Sequence, residues 1–159
     1  MTNIDLVGRP QRARVGHVLQ QSLVDLVDVS LLAKQVHWNV TGPRFRALHL
    51  QLDEIVEAAR DAADAVAERA VTVGAVPDGR ALTVAATSQI LAGRPDGMPV
   101  GPVADNHAIE IVHGILTQAI EGLAEAIDVT GRTDPVTQDL LIGVSAGLEK
   151  HRWMLDASR

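Results

Sequence analysis

Four stretches of the chain carry apolar residues at helical spacing, and one long connection rich in glycine and proline splits them into two pairs. In the first stretch, about 11–38, the apolar positions are Val15, Val18, Leu19, Leu23, Leu26, Val27, Leu31 and Val36. They give a wide apolar face at 3.6 residues per turn. Asn39-Val40-Thr41-Gly42-Pro43 interrupts it, because Gly and Pro both disfavour continuation. The second stretch, about 44–73, turns Leu48, Leu52, Ile55, Val56, Ala59, Ala63, Val66 and Ala70 inward, and Gly74 suits a helix C-terminus. The third, about 103–129, does so with Ile109, Val112, Leu116, Ala119, Ile120, Leu123 and Ile127, and Gly131 ends it. Thr133-Asp134-Pro135 then reads as a capped helix start. The last helix, about 134–156, carries Val136, Leu140, Leu141, Val144, Leu148 and Leu155.

The connection from Ala75 to Pro102 is punctuated by Pro77, Gly79, Gly93, Pro95, Gly97, Pro99, Gly101 and Pro102. It is too long for a tight helical hairpin, but about right to cross the length of a bundle and bring the next helix back alongside. A short helix over about 81–91 is expected within it. The expected fold is all-α: a four-helix bundle with a long crossover between the second and third helices, the connectivity of ferritin-like bundles. It would occupy residues 11–157 behind a short tail, 1–10. No alternating strand pattern, nucleotide-type glycine loop or internal repeat competes with this reading.

Composition narrows the chemistry. The chain is 47% apolar but has only Phe45, Trp38 and Trp153 as aromatics, and it has no cysteine. Any metal must therefore be held by His, Asp and Glu, which suits iron, manganese or zinc. The net charge of −6 argues against a general nucleic-acid-binding surface. Met1 to Pro10 holds no apolar signal region, and no stretch approaches a membrane span, so the expected location is the cytoplasm.

Five potential ligands stand out: His37 near the end of the first helix, and His49, Asp53, Asp64 and Glu68 on the second. His49/Asp53 and Asp64/Glu68 are i,i+4 pairs, each able to share a metal. Three helical turns separate Asp53 from Asp64, so all four groups fall within a stripe roughly 100° wide. Along the axis, however, the two aspartates are about 16 Å apart, and one ion cannot bridge that. The pairs are then either unrelated solvated charges or halves of sites completed from elsewhere. A two-fold axis near residues 58 and 59 would complete them. It would set His49 and Asp53 of one chain opposite Asp64 and Glu68 of another, in two sites about 22 Å apart. His37 joins the first pair if the Gly42-Pro43 turn folds the first helix back beside the second.

The run Lys34-Gln35-Val36-His37-Trp38-Asn39-Val40-Thr41-Gly42-Pro43-Arg44-Phe45-Arg46-Ala47-Leu48-His49 resembles the signature of the Dps family, DNA-binding proteins from starved cells. The likeness continues through Leu52-Asp53-Glu54, Asp64 and Ala67-Glu68-Arg69-Ala70, and the spacing His-x11-His-x3-Asp-x10-Asp-x3-Glu is kept without a gap. Glu149 to Leu155 is similar to the family's last helix, so the resemblance runs from about Leu19 onward. It implies a mini-ferritin: a shell of twelve subunits with ferroxidase sites at its two-fold interfaces. His37, His49 and Asp53 would come from one subunit, and Asp64 and Glu68 from its partner. Iron(II) would be oxidised there by hydrogen peroxide or oxygen and stored as a ferric mineral, protecting DNA from oxidative damage.

Ligand chemistry assigns roles within that expectation. Asp53 and Glu68 offer anionic oxygens that favour iron(III), and Asp64 binds directly or through water. The imidazoles must be neutral to bind, so affinity should fall below about pH 6.5. Lys34 and Trp38 lie within a turn of His37. Trp38 is read as a wall of the site or an electron donor, or as a plain core residue. Asp134 and Asp139 fall where the family lines an acidic pore, although Asp at a helix start is also favoured by the helix dipole. His17, His107, His113 and His151 share no spacing and are read as structural or exposed.

DNA binding is expected to be weak. Arg9, Arg12 and Arg14 are the only arginines near the N-terminus, and twelve chains at −6 each carry about −72 formal charges, which repel phosphates. Only multivalency would help. Two other function classes remain: a nucleoid-compacting protein with incidental metal, and a hydrolase using the metal to activate water.

Overall fold

In the computed structural model, which describes residues 9–90 and 97–159, the chain forms five helices and one short strand pair. Helix α1 spans Arg9–Asn39, strand β1 Val40–Thr41, helix α2 Phe45–Thr72, helix α3 Ala81–Thr87, strand β2 Val103–Ala104, helix α4 Asp105–Thr130 and helix α5 Pro135–Asp156. α1 packs on α2 and α4, and α5 packs on α4 and α2. α2 and α4 are thus diagonal, which is why a long crossover has to join them. The described part of the 1–10 tail, Arg9 and Pro10, is the first turn of α1; residues 1–8 lie outside the described residues.

The core is aliphatic. Leu19 and Leu26 of α1, Leu48, Leu52 and Ile55 of α2, Ile109, Ile115 and Leu116 of α4, and Leu141, Leu148 and Leu155 of α5 are all fully buried. At roughly 1.5–3 kcal/mol per buried side chain, this interior outweighs the polar contacts described below. Two residues placed on apolar faces by periodicity stand in solvent instead, Leu31 at 51% and Val136 at 59% exposure. Both sit at the border of their helix's apolar face.

Each end of the crossover is fixed by local chemistry. α2 stops in a Schellman motif: Gly74 N bonds Val71 O, Ala75 N bonds Ala70 O at 2.8 Å, and Gly74 has φ 85°. At the far end, β2 pairs in parallel with β1, Val40 against Val103 and Thr41 against Ala104. The third long helix therefore begins at Asp105 rather than Val103, because Val103 and Ala104 are extended against β1. The short helix ends at Thr87, earlier than the 91 expected. Ser88 turns extended and meets Asp28 at 2.7 Å, and Gln89 N donates to Asp25 at 2.7 Å. Leu91 lies outside the described residues.

Candidate metal centre

The site is made where α1 hands over to α2. Gly42 takes φ 118°, and a Cβ there would lie 2.9 Å from Asp105 Cγ; only glycine fits both constraints. Asp105, buried at the start of α4, accepts from Arg44 N at 3.2 Å and Arg44 Nε at 3.0 Å. The same guanidinium also donates to Asn106 Oδ1 and to Ser158 O near the C-terminus. Arg44 thus ties the turn to α4 and to the end of α5. Its hydrogen bonds hold the Asp105 carboxyl below the usual carboxylate range.

This turn lays His49 of α2 against His37 of α1. The imidazoles stack with centroids 3.7 Å apart and 24° between planes. His37 Nδ1 lies 2.9 Å from His49 O, and His49 Nδ1 lies 3.1 Å from His37 O. A carbonyl oxygen only accepts, so each Nδ1 donates, which leaves Nε2 as the nitrogen of each ring able to take a metal. One turn further along α2, Asp53 joins them: ligand atoms of His37, His49 and Asp53 all lie within 4.8 Å of one another. No other group of three such residues meets this way among the described residues. Lys34 Nζ donates to Asp53 Oδ1. That hydrogen bond, helped by the nearby imidazoles and opposed by partial burial, holds the Asp53 carboxyl below its ordinary range.

The remaining sequence candidates fall elsewhere. Asp64 and Glu68 lie further along α2 with exposed side chains and do not reach the triad within the chain. Asp64 borders a groove with Leu23, Leu31 and Arg60. Trp38 is 67% exposed, so core packing within one chain does not account for it.

Asp134, one of the two candidate pore residues, has its carboxylate engaged within the chain. It is 3% exposed, and Arg69 Nη2 donates to both its oxygens at 2.9 Å while Thr137 N donates at 3.1 Å. Its carboxylate is therefore consumed in capping α5 and pairing with α2. Asp139 keeps an exposed side chain. Arg12 is partly buried and Arg14 exposed; the side chain of Arg9 lies outside what is described. His17 and His107 are exposed, and His113 faces Asp156 at 3.2 Å. His151 is partly buried, its Nδ1 without a hydrogen-bond partner.

Sequence reasoning missed Arg44 and Asp105. The Gly42-Pro43-Arg44 turn was visible, but its acceptor lies 61 positions away, beyond any local spacing.

The ferritin-like domain family model matches residues 17–158. The DNA protection during starvation protein of Mycolicibacterium smegmatis is 34% identical over 168 aligned positions, covering 99% of this chain and 84% of that protein. The fine tangled pili major subunit of Haemophilus ducreyi is 32% identical over 143, covering 90% and 73%. The Dps structure from Microbacterium arborescens in its high iron form superposes with a TM-score of 0.87 at 30% identity, covering 95% of both chains. With the fold, the stacked histidine pair and these relatives in agreement, the chain belongs to the Dps family of ferritin-like proteins.

Proposed function

We propose that this protein oxidises iron(II) at sites shared between subunits and stores the ferric product inside a twelve-subunit shell. The observation that carries this reading is the preset triad of His37, His49 and Asp53. It supplies two neutral nitrogen donors and one anionic oxygen, while the two further carboxylates in helical register, Asp64 and Glu68, point to solvent. A second copy related by a two-fold axis would bring its Glu68, with Asp64 directly or through water, to the open side of the triad. The subunit alone is then an incomplete site.

Iron is the substrate. Each iron(II) gives one electron, and two such electrons with two protons take hydrogen peroxide to two waters. Asp53 and Glu68 favour this by stabilising the more highly charged product. The hydrogen bonds between the paired histidines fix ring orientation before iron arrives, so little ordering remains to be paid for on binding. Consuming iron(II) together with peroxide would limit hydroxyl-radical damage to DNA without contact with DNA. Oxygen is the alternative oxidant, and the proposed compartment is the cytoplasm.

The test is anaerobic iron(II) titration of the purified protein followed by peroxide or oxygen. Saturable binding, oxidation on adding oxidant and a growing ferric core are expected. Absence of saturable binding, or its persistence in an Asp53→Ala/Glu68→Ala double variant, overturns the proposal.

A further inference from the structure

A second cleft lies away from the histidine pair, between the first half of α1 and the second half of α4. It encloses about 210 Å³, with Val18, Leu26, Leu123 and Ala126 among its aliphatic walls. Asp25 of α1 also lines it and is only 7% exposed. The two oxygens of this carboxylate are engaged differently. Oδ1 accepts from Gln89 N at 2.7 Å and Gln21 Nε2 at 3.1 Å, with Ser88 Oγ at 3.2 Å. Among the described residues, Oδ2 accepts only from Gln21 Nε2, at 3.1 Å. Oδ2 also lies 3.9 Å from where a Cβ on Gly122 would stand. The crossover therefore saturates one oxygen, and the other keeps spare acceptor capacity beside a cleft-lining glycine.

No lysine or arginine forms an ion pair with Asp25 among the described residues. A buried carboxylate without a counter-charge is costly, and a cation entering the cleft would offset that cost. Glu125 lines the cleft from α4 with an exposed side chain, adding negative potential that repels anions. His17, Ser22 and Gln89 line the cleft as well, but its aliphatic residues offer a hydrocarbon chain a surface to pack on.

We infer that this cleft binds a small organic cation, a primary alkylammonium whose ammonium meets Asp25 Oδ2 and whose chain lies on the α1 and α4 aliphatic walls. A cavity of roughly 150 Å³ accommodates benzene, so the cleft has room for an amine of about five carbons. Gly122 is the residue whose missing side chain keeps it open.

The probe is n-pentylammonium, titrated calorimetrically into the full-length protein beside 1-pentanol and pentanoate. One saturable amine site per chain is expected, with the alcohol at least about tenfold weaker and no pentanoate binding. Gly122→Leu, which fills the cleft with a good helix former, should abolish amine binding and leave iron oxidation unchanged. Asp25→Asn should reduce the amine to the alcohol's affinity. Should Asp25→Asn loosen the crossover, the amine–alcohol comparison and Gly122→Leu still decide. Equal binding of amine and alcohol, undiminished binding in Gly122→Leu, or no saturable amine binding overturns the inference.

Discussion

His37 and His49 each rest Nδ1 on the other's backbone carbonyl, at 2.9 and 3.1 Å. The relationship is reciprocal, so turning either ring breaks its hydrogen bond to the other residue's backbone. In most metal sites a histidine is oriented by a carboxylate or carbonyl outside the ligand set. Here each ligand's own backbone orients the other, which ties the junction between α1 and α2 directly to the donor geometry. Anything that shifts the turn shifts both nitrogens.

Lys34 is the first place to test this site. Its ammonium holds Asp53, and an incoming metal cation must compete with it for the same oxygen. Lys34→Met, which keeps the stem and removes the charge, is expected to raise affinity for iron(II) or zinc roughly three- to tenfold at low salt. It should also let the Asp53 carboxyl rise toward its ordinary range, since the lysine hydrogen bond is the main cause of its depression. Calorimetry and an NMR pH titration read the two effects. Unchanged affinity would mean that the ammonium leaves Asp53 before metal arrives.

The turn makes a paired prediction. Gly42→Ala forces φ 118° on a residue with a Cβ and drives that Cβ against the Asp105 carboxylate. The strain is of order 1–3 kcal/mol, and the displaced Asp105–Arg44 clamp adds to it. Stability and metal affinity should fall together. Gly74→Ala also meets positive φ, 85°, but nothing lies within 4 Å. It should cost about 1 kcal/mol and leave metal affinity alone. Thermal melts with zinc titrations compare the two, and equal losses of affinity would show that the turn does not set the donor geometry.

What the sequence made legible follows from range. The helices show because apolar spacing repeats over six to eight turns, and the histidine–carboxylate stripe shows because a rigid helix converts spacing into angle. The β1–β2 pair does not show, since two residues are too few to alternate. Asp134 is ambiguous for a different reason: an acid at a helix start looks the same whether it lines a pore or caps the helix. The partner that engages it as a cap, Arg69, lies 65 positions away. Trp38 is opaque in the same way, because its 67% exposure depends on where α1 ends against its neighbours.

Asp134 also predicts a pH dependence. Burial opposes its ionisation, but hydrogen bonds from Thr137 and the Arg69 guanidinium outweigh burial and lower its pKa from 3.8. A depressed carboxylate contributes stability that is fully present above the unfolded pKa and is lost as pH falls through the folded one. Asp134→Ala removes the α5 cap and leaves Arg69 without its partner. The expected loss is about 2–4 kcal/mol at pH 7, toward the lower end because Arg69 keeps some solvent contact. The gap between variant and parent in thermal or urea denaturation should narrow as pH drops below 3.8. A gap independent of pH would show that the cap acts by packing alone.

The shared site makes the sharpest prediction, because it can be tested with two inactive proteins. Asp53→Ala breaks the triad of its own chain, and Glu68→Ala breaks what that chain lends to its partner. Each variant alone should oxidise iron poorly. If the two are dissociated, mixed in equal amounts and reassembled, half of the two-fold pairs contain one of each. Such a pair has one doubly broken site and one site with Asp53 and Glu68 both intact. About a quarter of parental sites should therefore reappear, and peroxide-driven oxidation should recover in proportion. A site confined to one chain, or ligands other than these, would leave the mixture as inactive as its components.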